Sequence, residues 1–366
     1  MMKFGNRVRT PLLVASALVL SAFTALSGNS TEADNPPTVQ HLTKSPRIKI
    51  DAARGTASMD FSVMTYNVAG LPWPIRRGRP AALKEIARDM VALHAAERAP
   101  DVIVLQEAFT PASEAVGAPY AHKISGPSAK DVTALDLPRI DQGFVRARRF
   151  LKGERIGKVL SSGLFIFSDY PVIAAHMTPF QENSCAGYDC LANKGAMIAV
   201  IEIPGAPAPI QILNTHLNSN GASGVSAARA LAAHRQQVDE MGALMAQSLN
   251  PNWPIIYAGD FNTRHSEDRF GHNAKTLPGK LVAQYCLEPQ SACDARMPWT
   301  GDAPWLDTQD LQGFAGVPQI DIRPIRAEKM FEKPRNGKML SDHDAYMVTY
   351  RLTWKVENLA TLEAAS

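Results

Sequence analysis

Apolar residues recur along the chain with two periods, and together they predict strands interleaved with helices. Residues 61–68 alternate apolar with polar, are rich in β-formers, and stop at Gly70-Leu71-Pro72, the pattern of a strand ending in a turn. Pro80 then opens a helix whose Leu83, Ile86, Met90 and Leu93 recur at helical spacing, with Lys84, Glu85, Arg88 and Asp89 on the other face. Residues 101–105 form an apolar run that predicts a buried strand, and further strands are predicted over 163–168, 196–203, 209–215, 255–258 and 345–353. A long helix is predicted over 224–249, its apolar side formed by Ala227, Leu231, Val238, Met241, Met245 and Leu249. Residues 110–157 show no regular period. Strands outnumber helices, which is the pattern of a layered α/β fold with helices covering the outside of sheets.

The polar residues at the strand ends carry the chemistry. The apolar run Ile255-Ile256-Tyr257 closes on Gly259 and then presents Asp260 and Asn262, a carboxylate and an amide two residues apart. A carboxylate there can take a proton from water, and an amide can hold a phosphoryl oxygen. Other strands end in the same kinds of group: Asn67; Gln106-Glu107; Thr215-His216-Leu217-Asn218; Ser341-Asp342-His343; and Asp321, within Ile320-Asp321-Ile322. Each alone is an ordinary turn, cap or solvated charge. Together, apolar strands ending this way would converge at one rim of a sheet, which is what a metal-assisted phosphate-ester hydrolase requires.

The order of these motifs resembles the endonuclease/exonuclease/phosphatase superfamily, the DNase I-like fold. The resemblance runs over residues 61–353 and rests on Tyr66-Asn67-Val68, Gly70-Leu71-Pro72, Val104-Leu105-Gln106-Glu107-Ala108-Phe109, Thr215-His216-Leu217-Asn218-Ser219, Gly259-Asp260-Phe261-Asn262 and Ser341-Asp342-His343. Within it the chain is most similar to the neutral and bacterial sphingomyelinase branch, through Ser161-Ser162-Gly163-Leu164, Ser168-Asp169-Tyr170-Pro171 and Asn193-Lys194-Gly195. The resemblance implies an α/β four-layer sandwich, two central mixed β-sheets flanked by helices, and a divalent-metal-dependent phosphodiesterase. It implies that Glu107 and Asn67 hold Mg²⁺ or another hard divalent cation. It implies that Asp260 orients or activates the attacking water, that Asn262 stabilises phosphoryl oxygens, and that His216 and His343 form a histidine pair with Asp342 beside the second. Asp321 would be the carboxylate partner of His343, and Asn218 and Lys194 would bind substrate. The reaction is in-line attack of water on a phosphodiester, with no covalent intermediate and no Walker loop.

Composition adds the setting. Lys3, Arg7 and Arg9 precede the apolar residues 11–26, which predicts a signal peptide over 1–27, a linker or irregular lead-in over 28–58, a catalytic domain over 59–355 and a tail over 356–366. The formal charge of the chain is +3, and removing the three basic residues of the leader takes it to zero. A neutral body has no general pull toward nucleic acid or anionic membrane. Four cysteines in an exported chain, periplasmic or secreted, suggest disulfides, and local pairing of Cys185 with Cys190 and Cys286 with Cys293 is the simplest of the three connectivities open to them. A phospholipid at a membrane surface is the first substrate expected, and Trp299, Trp305 and Phe314 in a Pro/Gly-rich loop are the residues that would dip into a bilayer. A nuclease is the alternative, with Arg146, Arg148, Arg149 and Lys152 along the phosphate backbone. A phosphatase of sugar or inositol phosphates ranks below both, and a monomer without a stable protein partner is expected.

Overall fold

The computed structural model describes residues 44–331 and 338–356; the expected leader over 1–27, residues 28–43 of the lead-in and the tail after 356 lie outside the described residues. The strands, in chain order, are β1 (Lys49–Asp51), β2 (Thr56–Asn67), β3 (Val102–Gln106), β4 (His122–Ser125), β5 (Phe165–Ser168), β6 (Val172–Pro179) and β7 (Gly195–Ile201). They continue with β8 (Ile210–His216), β9 (Ile255–Asp260), β10 (Lys280–Leu281), β11 (Asp294–Arg296), β12 (Asp310–Ala315), β13 (Asp321–Met330) and β14 (Ala345–Lys355). The helices are α1 (Arg79–Ala95), α2 (Pro111–Glu114), α3 (Gln142–Arg146), α4 (Ala227–Ser248), α5 (Glu267–Thr276) and α6 (Val282–Cys286).

The strands form two mixed sheets. One has the order β11-β13-β14-β2-β3-β5-β4, with β1 also paired to β2, and the other β10-β12-β9-β8-β7-β6. Alternation along the central strands sets the layers. Val102 and Val104 of β3, with Ile256 and Ala258 of β9, point into the core between the sheets. Their neighbours Ile103 and Leu105 face Leu83, Ile86 and Met90 of α1. Ile255 and Tyr257 face Val238, Met241 and Leu244 of α4. The result is helix, sheet, sheet, helix, the four-layer α/β sandwich expected, and each such side chain buried contributes about 1.5–3 kcal/mol. Buried amides pin the sheets together: Gln106 Nε2 donates to Asn214 Oδ1 at 2.8 Å, and Gln312 Nε2 to Tyr346 O at 2.7 Å. Satisfied polar contacts of this kind fix how one sheet sits on the other.

The structure corrects several expectations. Within the expected lead-in, Lys49 pairs with Ser58 and Asp51 with Thr56, a hairpin that joins β1 to β2. The stretch expected to dip into a bilayer packs on the core instead. Phe314 is buried within β12, Trp299 meets Tyr346 edge-on at 6.2 Å between ring centroids, and Trp305 lies 6.1 Å from Phe270. The local disulfides Cys185–Cys190 and Cys286–Cys293 both form. Among the described residues no helix is long and apolar enough to cross a membrane.

Candidate active site

Strand register assembles the site. β2 and β3 run parallel with Asn67 opposite Gln106, so Asn67 and the next residue, Glu107, leave the first sheet side by side. In the second sheet His216 stands opposite Asp260 across a parallel pair, and Asp310 stands opposite Asp260 across an antiparallel one. Gly259 allows this, since a Cβ there would stand 2.5 Å from the Thr215 carbonyl oxygen. The chain turns sharply at these strand ends: Ala69, Glu107 and Asn262 have φ of 47°, 53° and 50°. Left-handed backbone at a residue other than Gly costs roughly 1–2 kcal/mol, so the surrounding contacts hold these three residues in place.

At the meeting of the two sheets, Asn67 Nδ2 donates to Glu107 Oε1 at 3.2 Å and to Asp260 Oδ2 at 3.0 Å, while Asn67 Oδ1 accepts from Ala69 N at 3.0 Å. Glu107 Oε2 is buried and has no hydrogen-bond partner. An unpaired carboxylate oxygen in a buried setting is costly unless something cationic meets it, and a carboxylate beside an amide is an oxygen donor set suited to a hard divalent ion. Glu107 and Asn67 therefore fit the metal expected of them. Asp260, Asp310 and His343 also offer ligand atoms within 4.8 Å of one another. There, however, the imidazole is already hydrogen-bonded to a carboxylate.

The two histidines around Asp260 are pushed in opposite directions. His343 Nδ1 donates to Asp310 Oδ2 at 2.7 Å, with the Gln309 amide 2.6 Å from Nε2. Burial alone would lower this imidazole, but Asp310, with Asp260 and Asp342 behind it, outweighs burial and raises it to about 10. His216 is driven the other way, well below its ordinary value, by burial and by Lys194. Lys194 Nζ lies 3.0 Å from His216 Nε2 and is itself held by Asp189 at 2.9 Å and by Leu217 O at 3.1 Å. Asp260 Oδ2 is 3.4 Å from His216 Nε2 and 4.0 Å from His343 Nε2, and Oδ1 accepts from Asn262 N at 3.0 Å. Burial, and then the charge of Asp310, raise the Asp260 carboxyl to about 7.

These groups open into a cleft of about 480 Å³, lined among others by Glu107, Lys194, His216, Asp260, Asn262 and His343. Asn262 Nδ2 donates to Leu217 O at 3.0 Å. Asp342 reaches the cleft but pairs with Arg76 at 2.9 Å, which holds its carboxyl below the usual range despite partial burial. Two expected residues lie elsewhere. Asp321 pairs with Arg323 at 2.8 Å and stands opposite Thr353, whereas the site end of β14 is Ala345. At about 3.3 Å per residue that separates it from the site by about 26 Å. The carboxylate partner of His343 is Asp310. Asn218 is fully buried and faces inward: its Oδ1 accepts from Ala186 N at 2.8 Å and its Nδ2 donates to Ser219 O at 2.9 Å. It shapes the loop after β8 and does not line the cleft.

Sequence reasoning missed Asp310, Gln309, Asp189 and Arg269. Asp310 opens an apolar run, Asp310-Leu311-Gln312-Gly313-Phe314, and that strand signal could have found it. Arg269 has no sequence signal. Its buried guanidinium donates to Asn218 O at 2.6 Å and Asn262 O at 3.1 Å, tying together the loops that follow β8 and β9.

A model of the Endonuclease/Exonuclease/phosphatase family matches residues 64–313. The chain is 27% identical over 217 residues to a sphingomyelinase of Mycobacterium bovis, a match covering 58% of this chain and 36% of that protein, so it spans about a third of the length of this curated relative. Its fold is similar to that of sphingomyelinase C from Streptomyces griseocarneus, with a TM-score of 0.54 and 20% identity over 79% of this chain and 99% of that one. It is also similar to a Staphylococcus aureus beta toxin mutant with bound magnesium ions, with a TM-score of 0.52 and 17% identity over 81% of this chain and 100% of that one.

Proposed function

The chain belongs to the Endonuclease/Exonuclease/phosphatase family, and on that premise we propose that it hydrolyses the phosphodiester of a phospholipid headgroup outside the cytoplasm, as a sphingomyelinase-like phospholipase C. The observation that carries the hydrolytic part is the placement of His216 and His343 on either side of Asp260, at 3.4 and 4.0 Å, with His343 held by Asp310 at 2.7 Å and a buried Glu107 oxygen left without a partner beside them. The likeness to a sphingomyelinase supports the lipid part. Two disulfides suit an exported protein.

Asp260, poised near neutrality, holds the attacking water and takes its proton. His343, kept cationic by Asp310, faces the developing phosphoryl charge and supplies a proton to the leaving oxygen. Lys194 adds a second positive charge beside neutral His216, and Asn262 positions the phosphoryl group. A divalent ion held by Glu107 and Asn67 would neutralise the phosphate in the bound state.

The test is hydrolysis of sphingomyelin vesicles and of plasmid DNA in parallel, with Mg²⁺ or with EDTA, and with Glu107→Ala as control. Release of phosphocholine that EDTA and Glu107→Ala both abolish, without nicking of DNA, is the expected result. Nicking without lipid cleavage would replace the lipid reading with that of a nuclease.

A further inference from the structure

The loop that follows α3 carries large apolar side chains in water at the rim of the cleft. Phe150 is 62% exposed, Leu151 86%, Ile156 51% and Val159 59%. Leu160, next in the chain, lines the cleft itself. Exposed apolar residues scattered singly need no explanation, but four within ten residues beside an active site form a patch.

The loop is held firmly. Glu154 is fully buried; its carboxylate accepts from Arg149 N at 2.6 Å, from Gly187 N at 2.9 Å and from Arg229 Nε of α4 at 2.6 Å. Gly187 lies inside the loop closed by the Cys185–Cys190 disulfide. Val159 N and Leu160 N both donate to Leu191 O, at 2.8 and 3.0 Å. The exposed side chains therefore project from a braced platform.

The segment is mostly basic, with Asp141 capping α3 and Glu182 near Arg148 and Lys158 as acids beside it. Arg146, Arg149 and Arg155 are exposed on the same segment. Between residues 142 and 160 the only acid is Glu154, which is buried and paired. Apolar tips on a segment that also exposes three arginines match the acyl boundary and anionic headgroups of a bilayer; a nucleic acid backbone would use the arginines but leave Phe150 and Leu151 in water. A second apolar tip, Trp73, 76% exposed, and Ile75, follows β2, and Ile75 also lines the cleft.

We propose that residues 146–159 form a seat for an anionic phospholipid surface, with Phe150 and Leu151 inserting below the headgroups and Arg146, Arg149 and Arg155 contacting them, so that the cleft opens onto the bilayer. This rests on the phospholipid reading above, and its test separates the two. Sedimentation with phosphatidylcholine vesicles, with and without phosphatidylserine, is measured for the full chain, for Phe150→Ser/Leu151→Ser, and for Arg149→Glu/Arg155→Glu. Hydrolysis of a soluble monomeric diester, bis(p-nitrophenyl) phosphate, and retention of plasmid DNA are followed alongside. The apolar variant is expected to lose about tenfold or more in vesicle partition at either composition while its soluble-diester rate stays within about twofold. The charge variant is expected to lose the preference for phosphatidylserine. Vesicle binding by the apolar variant equal to that of the parent chain would overturn the proposal. So would failure of the parent chain to bind vesicles, or loss of DNA retention by the charge variant with vesicle binding unchanged. Binding of vesicles without cleavage of any phospholipid would overturn the phospholipid substrate and leave the seat standing.

Discussion

The two ends of strand β3 each bury a histidine near a carboxylate, and they put them to opposite use. At the far end, beside Asp101, His94 Nδ1 stands 3.8 Å from Asp169. Burial raises Asp169 to about 7, with Asp101 adding to the rise and Lys44 opposing it, and burial lowers His94 to about 4. At the cleft end, burial likewise raises Asp260 to about 7, but His343 rises to about 10 because Asp310 accepts its Nδ1 proton at 2.7 Å. Burial is the largest cause at both carboxyls, so a shifted carboxyl does not by itself mark a catalytic site. What separates the ends is a second carboxylate within hydrogen-bond reach of the histidine and an unpaired Glu107 oxygen.

The largest break in this contrast is expected from Glu107→Ala, which removes the unpaired oxygen. It should lower kcat by about a thousandfold or more and abolish the response to added Mg²⁺, read by steady-state rates against metal concentration. Asp310→Asn should come next, at about a hundredfold in kcat near neutral pH. The sign follows from the geometry. In the parent chain His343 stays protonated until pH rises through about 10, so its contribution is lost only above that value. Without Asp310 charge burial dominates, and the alkaline limb of the pH–rate profile should move down toward or below neutrality. A limb that does not move would separate Asp310 from the chemistry.

Asp169→Asn tests the far end. The folded pKa of Asp169 is raised, so the stability this group contributes is present below its unfolded value and is lost as pH rises through about 7. The variant should therefore gain about 1 kcal/mol or more over the parent in denaturant unfolding on the alkaline side, little on the acid side, and keep kcat within about twofold. The smallest effect is expected from Asp321→Asn. An exposed pair with Arg323 is worth well under about 1 kcal/mol, and kcat should not change. A large loss of rate there would restore Asp321 as the partner of His343.

Much of the site is legible in the chain because strand ends announce themselves. Apolar runs stopping at Asn67, Glu107, His216 and Asp260 locate four groups that parallel register then brings together. The carboxylate of the dyad is less legible, because a strand pattern gives no direction. Asp310 and Asp321 both sit at the start of a strand, but β12 starts at the site and β13 starts at the far end of its sheet. Pro298, Gly301 and Pro304 make the stretch just before Asp310 look like loop, which hides where the strand begins. Asn218 matches a motif but turns its amide inward, a matter of side-chain direction that spacing cannot show. The charge states of His216 and His343 depend on neighbours distant in sequence, Lys194 and Asp310, and no local pattern encodes them.

The most direct test of this contrast is a ¹⁵N titration of the histidine ring nitrogens in the metal-free chain, with His94, His216 and His343 assigned by substitution. His343 should remain an imidazolium throughout the neutral range while His94 and His216 remain neutral. A neutral His343 at pH 7, or a charged His216, would contradict the account.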